Sequence, residues 1–426
     1  MQIGVIGTGY VGLVTGVMLT TLDHKVTCID IDHEKVEKLK NGDCIIYEKD
    51  LHKFLNNALH EKKINFSTSF SDLSNSEAVF VCVGTPPKND GRADLSFVEN
   101  AVISIAKINP EALIIIKSTV PPGSAKYLQK ILAENGYSNK IASNPEFLRE
   151  GEAVYDFISP DRIVIGSNSD EGTKILQKIY EKKENEGIAL VVTDTNTSEM
   201  IKYTSNSFLS IKLSFINEMS NLCEQIGADV KDLSYGVGLD KRIGKLFLNP
   251  GPGFGGSCFP KDTSALSMLA NDMGCPSMVL DAAIESNLMR YGLMKNKITE
   301  IAKDRKRLAI LGAAFKGGTD DIRESPAVNI IKLLSAEGYI LNVYDPAALK
   351  NLENLNIKNV VVQNNIENAM EASDLLVLLT EWQEFKEIDF SKLINKMSTN
   401  IIIDLRRILN EKELTSYGFD YYTIGK

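Results

Sequence analysis

Short β-branched apolar runs alternate with helical stretches over residues 1 to about 195. They predict strands at Ile3–Ile6, Val26–Asp30, Ala78–Val83, Leu113–Lys117 and Ile163–Ile165. Such alternation is the mark of βαβ units around a mostly parallel sheet. From about 196 to 295 the strand signals vanish. Ile201, Phe208, Ile211, Phe215, Met219, Leu222 and Ile226 recur at steps of three, four and seven, which predicts one face of a long helix. Asn196, with Glu199 three residues on, suits its start. Alternation returns near 305, with strands expected at Leu308–Leu311, Leu341–Tyr344, Val360–Val362, Leu375–Leu379 and Ile401–Asp404. The expected plan is α/β, then a helical connector, then α/β, with boundaries at 1–195, 196–295 and 296–426.

The chain's 426 residues suffice for two or three separately packed cores. Its net charge of −9 argues against a nucleic-acid binder, though a few local cations could still hold an anionic ligand. The N-terminus, MQIGVIGTGY, places no cationic stretch before an apolar one, and no apolar run approaches the ~20 residues of a membrane helix. Six scattered cysteines without a CxxC pair read as reduced thiols, so the expectation is a cytoplasmic protein with no membrane partner. The four histidines all lie in the first 60 residues. Chemistry further along must therefore use Cys, Lys, Asp, Glu, Asn or Thr, and no metal site is expected.

The first strand runs into GTGYVG, with Gly7, Gly9 and Gly12 in GxGxxG spacing around Tyr10 and Val11. A helix is predicted from Val11 to Leu22, and a second strand, KVTCID, ends in Asp30. In this context the glycines permit a tight turn, backbone approach to a pyrophosphate, and close helix–strand packing. The helix N-terminus offers unpaired N–H groups to phosphate. Asp30 would accept from ribose hydroxyls and repel a 2′-phosphate, favouring NAD over NADP, with Lys35 a nearby cation. Three further strands end in unusual loops: GTPP (Gly84, Thr85, Pro86, Pro87), STVPPGS (Ser118 to Ser124, including Thr119) and SNPEFLREG (Ser143 to Gly151, including Glu146 and Glu150). Ligands of open parallel sheets bind outside the carboxyl ends of the strands, so these loops are expected to line the cofactor crevice.

The richest segment is FLNPGPGFGGSCFPKDTSAL, Phe247 to Leu266. Cys258 stands just before a predicted helix, with Lys261 and Asp262 in its first turn. That setting should depress a thiol pKa and raise its nucleophilicity. Lys202 and Asn206 are four residues apart, hence on one side of a helix, where a cation and an amide could hold an oxyanion.

GTGYVG, STVPPGS, NPEFLREG, EMIKYTSNSFLSIKLSFINE, GFGGSCFPKD and FKGGTDDIRESP occur in the order and approximate spacing of the nucleotide-sugar 6-dehydrogenase (UDP-glucose/GDP-mannose dehydrogenase) family, which the whole chain resembles. The resemblance implies two Rossmann-like doubly wound α/β domains joined by a long central helix, with a helical region forming a homodimer or larger homo-oligomer. It implies an enzyme that oxidises UDP-glucose at C6 to UDP-glucuronate, a polysaccharide precursor, with two NAD⁺ reduced to two NADH. By this likeness Cys258 carries a thiohemiacetal and then a thioester. Lys202 and Asn206 match oxyanion stabilisers, Asp262 and Thr119 match residues that position or activate water, and Glu146 matches an acid/base carboxylate. Glu146, Phe147, Leu148, Arg149, Glu150, Asn249, Gly251, Gly253, Phe254, Gly255, Phe315 and Lys316 match substrate-contacting positions, as do Lys202 and Asn206. Arg242 matches a residue reaching a neighbouring subunit's site. Arg406, beside Arg407, matches a sugar-nucleotide contact, and Arg323 a cofactor-side one. The second α/β half has GAAFKGG where a GxGxxG would stand, as fits a UDP half-site. The alternative within the family is the same chemistry on a UDP-N-acetyl-hexosamine or GDP-mannose. A 3-hydroxyacid dehydrogenase would need no Cys258, and a non-catalytic sensor would not need the Cys, Lys and Asp set.

Overall fold

A computed structural model describes residues 1–88 and 90–426. The chain forms two compact units, Met1–Ser205 and Asn206–Lys426. The first is built on an eight-stranded sheet: β1 (Gln2–Ile6), β2 (Lys25–Ile29), β3 (Ile64–Ser67), β4 (Ala78–Val81), β5 (Leu113–Ile116), β6 (Ile141–Ser143), β7 (Ile163–Ser167) and β8 (Leu190–Thr193), in the order β3-β2-β1-β4-β5-β6-β7-β8. All neighbours are parallel except β6 and β7. Strands β4 and β5 are buried at every position, as expected where helices cover both faces. Strand β1 pairs with β2 on one side and β4 on the other, which makes the carboxyl end of β1 a topological switch point. Ile6 is level with both Ile29 and Val81, so the loops that open at Gly7, Asp30 and Cys82 lie side by side.

The second unit holds a six-stranded, all-parallel sheet: β9 (Arg307–Leu311), β10 (Ile340–Tyr344), β11 (Val360–Val362), β12 (Leu375–Leu378), β13 (Ile401–Asp404) and β14 (Asp420–Thr423), in the order β11-β10-β9-β12-β13-β14. The centre repeats the first sheet's design. Gly7 N–H bonds Ile29 C=O at 2.8 Å, and Gly312 N–H bonds Tyr344 C=O at 2.8 Å. The acidic residue after the second strand differs in use. Asp345 is fully buried and accepts from the N–H groups of Ala313, Ala314, Ala347 and Ala348 and from the Trp382 indole.

Strands β3, β8 and β14 do not stand out as apolar runs, because INFS, LVVT and DYYT are short and only partly apolar. The helix predicted over Val11–Leu22 is α-helical over Tyr10–Leu19 and tightens to a 3-10 turn over Thr20–Leu22.

One 32-residue helix, Thr195–Ile226, fills the start of the predicted connector. Its cap is not the Asn196–Glu199 pair. Asp194 accepts from Thr197 N–H at 3.1 Å and Thr197 Oγ1 at 2.6 Å, while Glu199 points elsewhere. The apolar stripe is largely outside: Phe208, Phe215, Leu222 and Ile226 are 61%, 53%, 51% and 68% exposed. The buried side mixes Tyr203, Ile216 and Cys223 with many small and polar residues, among them Ser198, Lys202, Asn206, Ser210, Ser214, Asn217 and Ser220. Small and amide side chains allow close backbone approach; Ser214 Oγ, for example, donates to Ala283 C=O at 2.8 Å. Among the described residues, no helix is long and apolar enough to cross a membrane.

Candidate active site

The turn after β1 is shaped by close approach. Gly7 has φ 91°, and a Cβ on Gly12 would stand 1.8 Å from the Gly7 carbonyl oxygen. The space beside Gly9 is open, with no atom within 4 Å of a Cβ placed there. This leaves the backbone that opens the helix Tyr10–Leu19 free to meet a phosphate group, so the residues present fit a dinucleotide. Asp30 stands where β2 ends. Its Oδ2 accepts from Thr8 N–H at 2.8 Å and Thr8 Oγ1 at 2.7 Å, and Oδ1 from Asp32 N–H at 3.1 Å. Burial raises the Asp30 carboxyl, and these bonds outweigh it, holding the group below the usual range. It is therefore a carboxylate at neutral pH, poised to accept from hydroxyls and hostile to phosphate. Lys35 is exposed one turn into the following helix.

The next loops are stitched together. Ser118 Oγ donates to Val83 C=O at 2.7 Å, and Thr85 Oγ1 donates to Thr119 C=O at 2.9 Å. Gly84 and Pro86 are exposed, and Thr119 is half-buried.

After β6, Glu146 is buried and bonds Lys202 at 2.8 Å, Oε1 to Nζ. Glu146 Oε2 accepts from Leu148 N–H at 2.5 Å. Burial raises the Glu146 carboxyl, and the Lys202 ammonium more than reverses that, so the group lies below the usual carboxylate range. Phe147 is flanked by two cations, Arg162 at 3.6 Å and Lys202 at 5.4 Å from its ring centre. Arg149 instead pairs with Asp156 and Glu152, each at 2.6 Å. Gly151, following Glu150, donates its N–H to Glu48 at 2.8 Å. Two charged groups here have no motif to announce them. Lys117, at the end of β5, is buried and bonds Asn144 Oδ1 at 3.1 Å; burial pushes it down to about 8. Arg162 lies just before β7.

In the second unit, Cys258 is half-buried at the N-cap of the helix Phe259–Asp272, with Pro260 in the first turn. Ser257 Oγ lies 3.5 Å from its Sγ. Asp262 donates its backbone N–H to the Cys258 carbonyl at 2.8 Å. The fully buried Asp262 carboxylate is held at both oxygens: Lys261 at 2.7 Å on Oδ1 and Asn206 Nδ2 at 2.6 Å on Oδ2. Ahead of the cysteine, the glycine loop lies tight against its surroundings. A Cβ on Gly255 would stand 2.1 Å from the Glu324 carbonyl oxygen, and one on Gly251 would stand 2.9 Å from an Arg406 nitrogen. Arg406 donates to Leu379 C=O at 2.9 Å and Phe315 C=O at 3.1 Å. Gly251, Phe315 and Arg406 are thus brought together, and Arg407 is not among them: it pairs with Asp229 at 2.9 Å. Phe254 is buried, Gly253 and Lys316 are half-buried, and Asn249 is exposed. Arg242 is exposed and paired with Asp240; Arg323 is likewise paired with Asp321.

Three residues that sequence reasoning did not single out hold this loop. Asn217 Oδ1 accepts from Gly251 N–H at 2.9 Å, Asn287 Oδ1 accepts from Phe254 N–H at 2.8 Å, and Arg290 Nε donates to Gly251 C=O at 2.6 Å. In the sequence they are polar residues within helical stretches, and only the fold shows them buried.

Profiles of the UDP-glucose/GDP-mannose dehydrogenase family match three stretches: its NAD binding domain over residues 1–184, its central domain over 196–288 and its UDP binding domain over 309–411. The chain is 49% identical over 431 aligned positions to the UDP-glucose 6-dehydrogenase of Rickettsia bellii, covering 100% of this chain and 99% of that one. A UDP-glucose dehydrogenase structure from Pyrobaculum islandicum superimposes with a TM-score of 0.91 at 33% identity, covering 99% of this chain and 96% of that one. A UDP-D-ManNAc dehydrogenase structure from Pyrococcus horikoshii gives 0.88 at 28% identity, covering 100% and 99%. The chain is an NAD-dependent dehydrogenase and belongs to the UDP-glucose/GDP-mannose dehydrogenase family.

Proposed function

We propose that the chain oxidises UDP-glucose at C6 to UDP-glucuronate, with Cys258 as the covalent nucleophile. The observation that carries this reading is the cysteine at a helix N-cap, followed one turn on by a buried carboxylate bonded to Lys261 and Asn206. The extended likeness to UDP-glucose 6-dehydrogenases supports glucose as the sugar. NAD, held by the Gly7–Gly12 turn and Asp30, supplies the hydride acceptor for two successive oxidations.

The first oxidation turns the C6 alcohol into an aldehyde. The Cys258 thiolate adds to that carbon, forming a C–S bond and an oxyanion. Its protonated form is a thiohemiacetal, which keeps the half-oxidised sugar from escaping. Lys202 and Asn206 supply N–H groups to the oxyanion. The second oxidation leaves a thioester. Water adds to its carbonyl, the C–S bond breaks, and the thiol and the carboxylate are released. Asp262 and Thr119 orient this water, and Glu146 exchanges protons, its ionised form stabilised by Lys202. Phe254, Gly255, Phe315, Lys316 and Arg406 hold the nucleotide sugar.

We assign residues 1–195 to cofactor binding, 196–295 to the connector and to contacts between subunits, and 296–426 to the UDP moiety. The exposed Phe208, Phe215, Leu222 and Ile226 form the apolar stripe on which two copies associate, since a monomer rarely leaves such a stripe in water.

The test counts NADH at 340 nm against sugar consumed, over UDP-glucose, UDP-galactose, UDP-N-acetylmannosamine and GDP-mannose. Two NADH per UDP-glucose, with the other sugars much slower, is the expected result. The full-length likeness to a UDP-D-ManNAc dehydrogenase makes preference for the acetamido sugar the competing outcome. One NADH per sugar would refute the thioester route.

A further inference from the structure

In the first turns of the long helix Thr195–Ile226, three buried polar side chains reach the end of β6 and the segments that follow β5 and β6 in the first sheet. Lys202 bonds Glu146 after β6, and Ser198 Oγ bonds Ser143 Oγ at the end of β6, at 3.1 Å. The third is Glu199, which no step of the proposed chemistry uses. Its Oε2 accepts from Gly123 N–H at 2.6 Å and its Oε1 from Ala125 N–H at 2.8 Å. These amides open the helix Ser124–Glu134. That helix has no cap of its own: Gly123 stands at its N-cap with φ 97° and no side chain, and its first turn contains no acidic residue. A distant carboxylate therefore does what an Asp or Ser at the N-cap would ordinarily do.

A surface cap would serve helix stability alone. Glu199 is 2% exposed, and burial pushes its carboxyl up to about 7 despite the backbone bonds it accepts. Burying a carboxylate that only backbone amides hold is an unfavourable way to stabilise one helix. It does accomplish a second thing. The segment it grips follows directly on Ser118 and Thr119, and the helix it projects from carries Lys202 one turn later.

We infer that Glu199 is a positioning residue for the oxidation. It ties the Ser118–Gly123 loop, with Thr119, to the helix turn that presents Lys202, so that both groups keep one fixed spacing. This inference rests on the roles given above to Thr119 and Lys202.

The test compares the wild-type enzyme with Glu199→Gln and Glu199→Asp. The amide keeps the shape but can accept only one of the two N–H groups. Aspartate keeps the charge but is too short to reach both. For each protein, kcat, the NAD KM, the UDP-glucose dissociation constant and the thermal midpoint are measured. The expected result is a kcat about tenfold or more lower in both variants, of the size that small misplacement of reacting groups produces. UDP-glucose affinity should stay within about twofold, because Glu199 touches no residue assigned to that sugar nucleotide. A folded variant with kcat within about twofold of wild type would overturn the inference. So would a kcat loss that merely parallels loss of the thermal midpoint and of UDP-glucose affinity. Should one variant not fold, the other decides. Wild-type enzyme that forms fewer than two NADH per sugar refutes the proposed function instead, and the effect of Glu199 on whatever oxidation it performs still decides the positioning role.

Discussion

Asn206 donates its side-chain amide to Asp262 Oδ2 at 2.6 Å while Lys261 holds Oδ1 at 2.7 Å, so one buried carboxylate orients two donors beside the Cys258 helix. Asp262→Ala would release both. The expected outcome is a kcat lower by about 10²–10³-fold, the range seen when an oxyanion donor loses its placement, with a small change in UDP-glucose KM. Steady-state kinetics with UDP-glucose check it. An unchanged kcat would make the carboxylate merely structural.

Cys258→Ser replaces a thiol with a far weaker nucleophile at neutral pH. Acid formation should fall by at least about 10³-fold, as when other covalent nucleophiles are removed. NAD binding, followed by fluorescence titration, should be nearly intact, because the glycine turn and Asp30 are untouched.

Asp30→Ala removes the carboxylate that Thr8 holds in place. It should raise the NAD KM by about tenfold, the size of a lost charge-assisted hydrogen bond, and leave kcat within about twofold. A large kcat loss at constant KM would contradict a ribose role for Asp30.

The buried Lys117 gives a pH test. Burial pushes its ammonium down to about 8 from the ordinary 10.5. Between these values the unfolded chain binds a proton that the folded chain has released. The contribution of Lys117 to stability therefore rises with pH across that window. Urea denaturation between pH 8 and pH 10 should show this rise in the wild type and its loss in Lys117→Met. The comparison is between slopes, so a constant offset from the lost side chain does not matter. Equal slopes would refute the assignment.

Leu222→Glu or Phe215→Glu would place charge in the exposed stripe of the long helix. Sedimentation velocity should show smaller particles than the wild type with unchanged secondary structure. Unaltered sedimentation would move the interface elsewhere.

Most of the parallel strands were legible because their β-branched runs have no polar alternation to confuse them, whereas the parallel edge strands β3, β8 and β14 were too short and too polar to stand out. The glycine turn and the cysteine loop were legible because their residues are adjacent in sequence. Relationships across the fold were not. Glu199 suits a local capping box, yet it serves the helix Ser124–Glu134, 74 residues upstream of it at Ala125. Asn217, Asn287 and Arg290 support the glycine loop through bonds spanning more than 30 positions, and no local pattern encodes such partners. The long helix was legible from its apolar period. Periodicity identifies which face is apolar, but not whether that face meets its own chain or another.

The second sheet could not be made into another dinucleotide cradle by grafting GTGYVG after β9. Asp345, standing where the ribose-reading acid would be, already answers to five donors of its own chain. An engineer would first have to silence Trp382 and rebuild two turns before that carboxylate could greet a visitor. Two sheets of like strand order thus part company at one position, where the acid of the second is already saturated by its own chain.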